Sequence, residues 1–302
     1  MHPEPRRSGR GSWRQSWRGV GVLASLFGSG AAAQTIPTID TEDAGLGSVA
    51  VGTGRFHPTI GVDVRNGDFA RGGYDDDAAN LRRIPVHVQV GFGFDLHRDT
   101  EGKADLWLIG TSSNGVHAPI PDERVSPRGW YESNTLLGLV GTPARGMTLG
   151  AAYTIKTSPN GIAGTSHEAS ITAAWEGESW FGTLHPGIAA TVRPKGGHGL
   201  FTQVGIEPQR LLGAGKDAPT LSMPVMFGVG WGGFYGAGTG TVTYGSVGAA
   251  YTRPFVVGAA HWRLRVDGAA VLRDDTLRRI GSADAETHAL VPLVTVSLLT
   301  AF

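Results

Sequence analysis

Apolar and polar residues alternate one for one along much of this chain, most clearly from Ile84 to Leu96. Ile84, Val86, Val88, Val90, Phe92, Phe94 and Leu96 fall on one face, and Pro85, His87, Gln89, Gly91, Gly93 and Asp95 on the other. Side chains alternate across a strand, so the segment has one wholly apolar face and one polar or bare face. Met147 to Ser158, His167 to Glu176 and Ala260 to Arg273 repeat the pattern, and helical periodicity is nowhere comparably clear. With the weaker segments included, the pattern predicts strands at 57–65, 84–96, 104–111, 131–141, 147–158, 167–176, 183–193, 199–207, 219–230, 241–252, 260–273 and 288–302. Several approach the roughly 9–11 residues that a tilted membrane strand requires.

These segments predict an all-β fold, an antiparallel transmembrane β-barrel of about twelve strands over residues 47–302. With both termini in the periplasm, the outer connections are 66–83, 112–130, 159–166, 194–198, 231–240 and 274–287, and most of the intervening turns are shorter. Short periplasmic turns and longer outer loops are the habit of outer-membrane barrels. The last strand places Val294, Val296, Leu298 and Phe302 on one face. A terminal Phe on an alternating strand resembles the signal read by the outer-membrane assembly machinery, which makes Phe302 the expected assembly signal. A soluble barrel or sandwich is the competing reading.

Composition sharpens this picture. Glycine supplies 47 of 302 residues without a collagen-like period, which suits tight turns and bare strand faces. Cysteine is absent, so disulfides and thiolate metal sites are excluded. Of 26 basic and 26 acidic residues, five arginines and one glutamate lie in the first 33, leaving 21 and 25 in the remainder. No basic excess of the kind that binds nucleic acid remains. The first 33 residues read as a secretory signal: arginines to Arg18, a short apolar run from Gly19 to Phe27, then Ala31-Ala32-Ala33. Cleavage is expected between Ala33 and Gln34, followed by a polar periplasmic lead over 34–46.

Candidate motifs yield little chemistry. Gly228-Val229-Gly230-Trp231-Gly232-Gly233 satisfies a dinucleotide-binding pattern, but the helix that pattern needs does not follow. His167 and Ser170 could belong to a membrane-embedded lipid hydrolase, with Ser133 or His185 as partners from other strands, yet on one strand the two point to opposite faces. Asp75-Asp76-Asp77 and Asp274-Asp275 lack the spacing of a calcium loop and read as solvated charge. No cofactor, metal site or catalytic residue is expected.

The inner faces carry Asp63, Arg65, His87, Gln89, Asp95, Glu132, Lys156, Glu168, His185, Arg193, Arg263, Arg265 and Asp267, the candidate lumen lining. Such a lining either hydrates a pore or fills it with paired charges. Trp130-Tyr131-Glu132-Ser133-Asn134, Leu149-Gly150-Ala151-Ala152-Tyr153-Thr154 through Asn160, the signal segment and Phe302 together resemble the TorF-type porins of Gram-negative bacteria. That resemblance implies passive passage of small solutes, an outer-membrane location, and lipid, lipopolysaccharide and the assembly machinery as partners. A structural or surface-interaction barrel with a blocked lumen is the alternative, and a lipid hydrolase the third.

Overall fold

Each alternating segment forms a strand because its apolar face needs a non-aqueous neighbour while its backbone needs partners on both edges. The computed structural model describes residues 34–36, 49–51, 54–74, 84–99, 104–121, 123, 125–215, 217–280 and 288–302. The predicted leader with the expected cleavage residue Ala33, most of the predicted polar lead and the Asp75–Asp77 cluster lie outside the described residues.

Among the described residues, twelve antiparallel strands close into a barrel. They are β1 Phe56–Arg65, β2 Val86–Arg98, β3 Asp105–Val116, β4 Trp130–Ala144, β5 Met147–Thr157 and β6 Ser166–Trp175. The ring continues through β7 Pro186–Lys195, β8 Leu200–Ile206, β9 Val225–Trp231, β10 Val242–Val257, β11 Ala260–Arg273 and β12 Leu290–Ala301. Each pairs with its neighbours in sequence, and β12 closes on β1 with Thr295 opposite Arg65 and Ala301 opposite Thr59. Closure removes both sheet edges. One helix, α1 Asp275–Arg279, interrupts the connection before β12.

The two surfaces differ in kind. Ile60, Val90, Ile171, Phe227, Val247 and Val294 point outward from six strands, each at least half exposed, with Ile171 at 65 %. An aqueous protein rarely exposes a contiguous apolar patch beyond a few hundred Å². A continuous apolar girdle on a closed sheet is the exterior of an outer-membrane-type barrel.

Several details depart from the alternation. β3 extends to Val116 because Ser112, Ser113 and Asn114 continue the ladder with β4 although both faces have turned polar. The predicted strand at 219–230 divides: Thr220–Ser222 pairs with Gln209–Leu211, and β9 begins only at Val225, after Pro224. The long connection at 208–218 is therefore largely a short hairpin, docked on β10, that prolongs the turn end of the sheet. His185 precedes β7 in the connection from a small hairpin, Gly177–Glu178 with Thr183–Leu184, so it does not sit within a barrel strand as the pattern placed it.

Candidate functional site at the loop end of the barrel

The connection from β1 to β2 does not project away from the barrel. Residues 66–74 turn back, and Phe69–Ala70 pairs with Gly73–Tyr74 as a two-residue hairpin. Its tip residues Arg71 and Gly72 have φ of 54° and 76°. Positive φ at both central positions matches the twist of flanking strands. A Cβ on Gly72 would fall 2.5 Å from the ring of Tyr244, so only glycine lets the tip approach this closely. Phe69, Asp68 and Arg71 are all buried.

Two polar clusters tie this hairpin to the wall. In the first, Arg71 reaches Glu168 on β6 as a bidentate pair, with Nη1 to Oε1 and Nη2 to Oε2 both 2.9 Å. Arg193 on β7 donates to the same Oε1 at 3.0 Å and to the Phe234 carbonyl at 2.6 Å. The Arg71 guanidinium lies over Phe201 and Phe234, 5.0 and 5.4 Å from their ring centres. The Tyr235 hydroxyl donates to the Arg71 carbonyl at 2.7 Å. A forked guanidinium held by a carboxylate and aromatic faces is a strong, orientation-specific anchor.

In the second cluster Arg65 donates to Asp63 and Asp68, each at 2.6 Å. The His87 ring stands between the same two carboxylates, Nδ1 3.2 Å from Asp63 and Nε2 3.1 Å from Asp68. Tyr131 donates its hydroxyl to Asp68 at 2.7 Å, and Glu132 lies 3.4 Å from His87 Nε2. Burial alone would favour the neutral acid at Asp68. The charges of His87 and Arg65, with hydrogen bonds from His87 and Tyr131, instead hold its carboxyl well below the usual carboxylate range. His117 stacks on Tyr131 at 4.8 Å and roofs the group.

Around these clusters apolar side chains pack together at the loop end. Phe69, Phe201, Phe234, Val242, Tyr244, Val271, Leu277 and Val291 form one buried group, drawn from the hairpin, three strand starts, the end of β11, the β9–β10 turn and α1. Asp274 accepts from the Thr276 and Leu277 amides and caps α1, which holds Leu277 in place. That residue is therefore a structural cap, whereas its neighbour Asp275 remains exposed and pairs with Arg278.

The predicted lining thus separates into groups. Asp63, Arg65, His87 and Glu132 converge, as do Glu168 and Arg193, with Lys156, across from Asn134 on β4, near enough for its charge to act on Glu168. Arg265 bridges Glu207 and Asp267 at 3.2 and 3.6 Å on another wall, next to Arg263. Gln89 is half-buried opposite Gly61, and Asp95 pairs with Arg98 near the turns. Asp68, Arg71 and Tyr131 were not foreseen. Tyr131 escapes alternation because the register shifts there: Gly115 faces Glu132 and Val116 faces Trp130, so Tyr131 is an extra residue turned inward. For the hairpin, an apolar Phe69 inside a polar, glycine-bearing loop was the available signal.

Other motifs resolve simply. Gly228 and Gly230 belong to β9, and a Cβ on either would strike Tyr244 or Tyr235, so their bareness makes room for rings. Ser170 bonds Thr191 inside the barrel, whereas His167 meets the Tyr153 hydroxyl on the outer side, which separates the two candidate hydrolase residues.

No family model matches the chain, and no curated protein sequence does. Solved structures do. One, described as "Unveiling the Mechanism Behind the in-meso Crystallization of Membrane Proteins", is 9 % identical, with 82 % of this chain and 84 % of that one covered and a TM-score of 0.45. A bacterial polysaccharide outer membrane secretin is 10 % identical over 82 % of this chain and 98 % of that one, with a TM-score of 0.44. The transport unit of the autotransporter AIDA-I from Escherichia coli is 12 % identical over 83 % and 90 %, with a TM-score of 0.36.

Proposed function

We propose that this protein is an outer-membrane barrel of Gram-negative bacteria whose lumen is closed at the loop end, a structural or surface-interaction barrel rather than a standing pore. The observation that carries this reading is the Arg71–Glu168 pair, which fastens the inward hairpin across the barrel with the Arg71 side chain 3 % exposed. An open aqueous passage would leave that guanidinium solvated. The apolar exterior supports a lipid environment, with outer-membrane lipid and lipopolysaccharide as surroundings and the assembly machinery as the route in.

A second reading, porin-like passage of small solutes, draws support from one feature. Below the cap, Gln89, Arg265 and Asp267 remain partly exposed inside the barrel. Passage along that polar band would require the hairpin to withdraw. Swelling of proteoliposomes in arabinose separates the two. The closed reading predicts swelling no faster than in protein-free vesicles, and rapid swelling would establish the porin reading in its place.

A further inference from the structure

We propose that Asp68, His87 and Glu132, with the Tyr131 hydroxyl, form a binding site for one divalent transition-metal ion of the zinc type. The three residues are buried, and one ligand atom from each lies within 4.8 Å of the others. Around His87 Nε2 stand Tyr131 Oη at 2.8 Å, Asp68 Oδ2 at 3.1 Å and Glu132 Oε2 at 3.4 Å. Metal–ligand bonds of about 2.0–2.1 Å in a tetrahedron imply ligand–ligand edges of about 3.3 Å. The group is already near that size.

What distinguishes it from a chance gathering of acids is that every proposed ligand is held from behind. Asp63 takes His87 Nδ1, leaving Nε2 aimed at the centre. Arg65 takes Asp68 Oδ1, leaving Oδ2 aimed at the centre. Asn134 donates to Glu132 Oε1, leaving Oε2 aimed at the centre. Carboxylate–histidine–metal relays of this kind fix the tautomer and orientation of metal ligands. Three carboxylates, Asp63, Asp68 and Glu132, gather around the imidazole, an environment that favours a divalent cation. On binding, the ion takes the Nε2 position and any proton there passes to solvent. One imidazole among oxygen donors favours zinc over calcium, which prefers six to eight oxygens.

The consequence is mechanical. Asp68 belongs to the hairpin connection, His87 to β2 and Glu132 to β4, so the ion would stitch the inward segment to two wall strands. That consequence rests on the closed-lumen reading. The site itself does not, and metal uptake is measured without any current.

The test is calorimetric titration of zinc chloride into the full chain, refolded in detergent and cleared with a chelator. One saturable equivalent is expected, at least about tenfold weaker in Asp68→Asn and in Glu132→Gln, and unchanged in His97→Gln, which removes an exposed histidine. Cobalt(II) should give visible d–d bands in the native protein that zinc abolishes. Gel mobility with and without heating verifies that each variant is folded. If a variant fails to refold, the native titration and cobalt spectrum still decide. Absence of saturable zinc uptake, or uptake equal in native and folded Asp68→Asn protein, would overturn the site.

Discussion

At the turn end the side chains buried inside the barrel come from the wall itself, whereas at the loop end chain that leaves the wall packs against side chains of the wall. Trp107 and Ile109 on β3, Val140 on β4, and Leu299 and Ala301 on β12 form the buried turn-end group. His57 adds to it, 5.9 Å from the Trp107 ring, with its Nδ1 and Nε2 each 3.1 Å from the Phe302 and Gly54 carbonyls. Gly91 and Gly93 stand opposite Thr59 and His57 and leave the hollow these side chains occupy. Filling of this kind follows from strand register alone. The loop end depends on a hairpin tip, a bulge and α1, each needing anchors distant in sequence. A wall-filled end should fail only with the barrel; a loop-filled end can open while the barrel stands.

The largest expected effect tests that separation. Arg71→Ala leaves Glu168 buried with only Arg193 and the charge of Lys156 beside it, and breaking a buried charge pair costs up to about 3–5 kcal/mol. The loss should fall on the hairpin, so limited proteolysis should cut within 66–74 while heat-modifiable gel mobility stays native. If the whole barrel unfolds in step, the two ends are one cooperative unit.

Next in size is the outer face. Val88 is 45 % exposed and its neighbour Gln89 faces inward. Val88→Arg should destabilise the barrel in lipid by about 2–4 kcal/mol, read from denaturant-dependent folding into vesicles. Gln89→Asn should cost far less. Equal losses would reverse the assignment of faces.

Smallest for the finished fold is Phe302→Ser. Its amide donates to the Pro58 carbonyl at 3.2 Å and survives the change, while its ring is already 49 % exposed. The loss in stability should stay below about 1.5 kcal/mol. Cellular outer-membrane levels should nevertheless drop sharply, because the unclosed last strand is recognised by its alternating face. Unchanged levels would dismiss the assembly role.

Alternation made the wall legible. Every predicted segment overlaps a barrel strand, although 183–193 and 219–230 each also take in part of a short hairpin, and Ile84–Leu96 anticipated both faces of β2, because an apolar exterior and packed polar groups inside impose opposite demands on successive residues. It also placed Asp63, His87, Glu132, Glu168 and Arg193 on the inner face. Their partners were hidden for particular reasons. Asp68 and Arg71 sit in a stretch with no period, where two left-handed residues redirect the chain inward. Counting from Glu132 would turn Tyr131 outward, but a single extra residue inverts the face, a shift that sequence parity cannot register. Which inner charges pair also depends on separations across the barrel, such as the 97 residues between Arg71 and Glu168.

The closed loop end is tested most directly by planar-bilayer recording of the native chain beside a chain lacking residues 67–73. The native protein should insert without steady current, and the shortened chain should give stable openings. Steady openings of equal size in both would contradict a lumen closed by its own first loop.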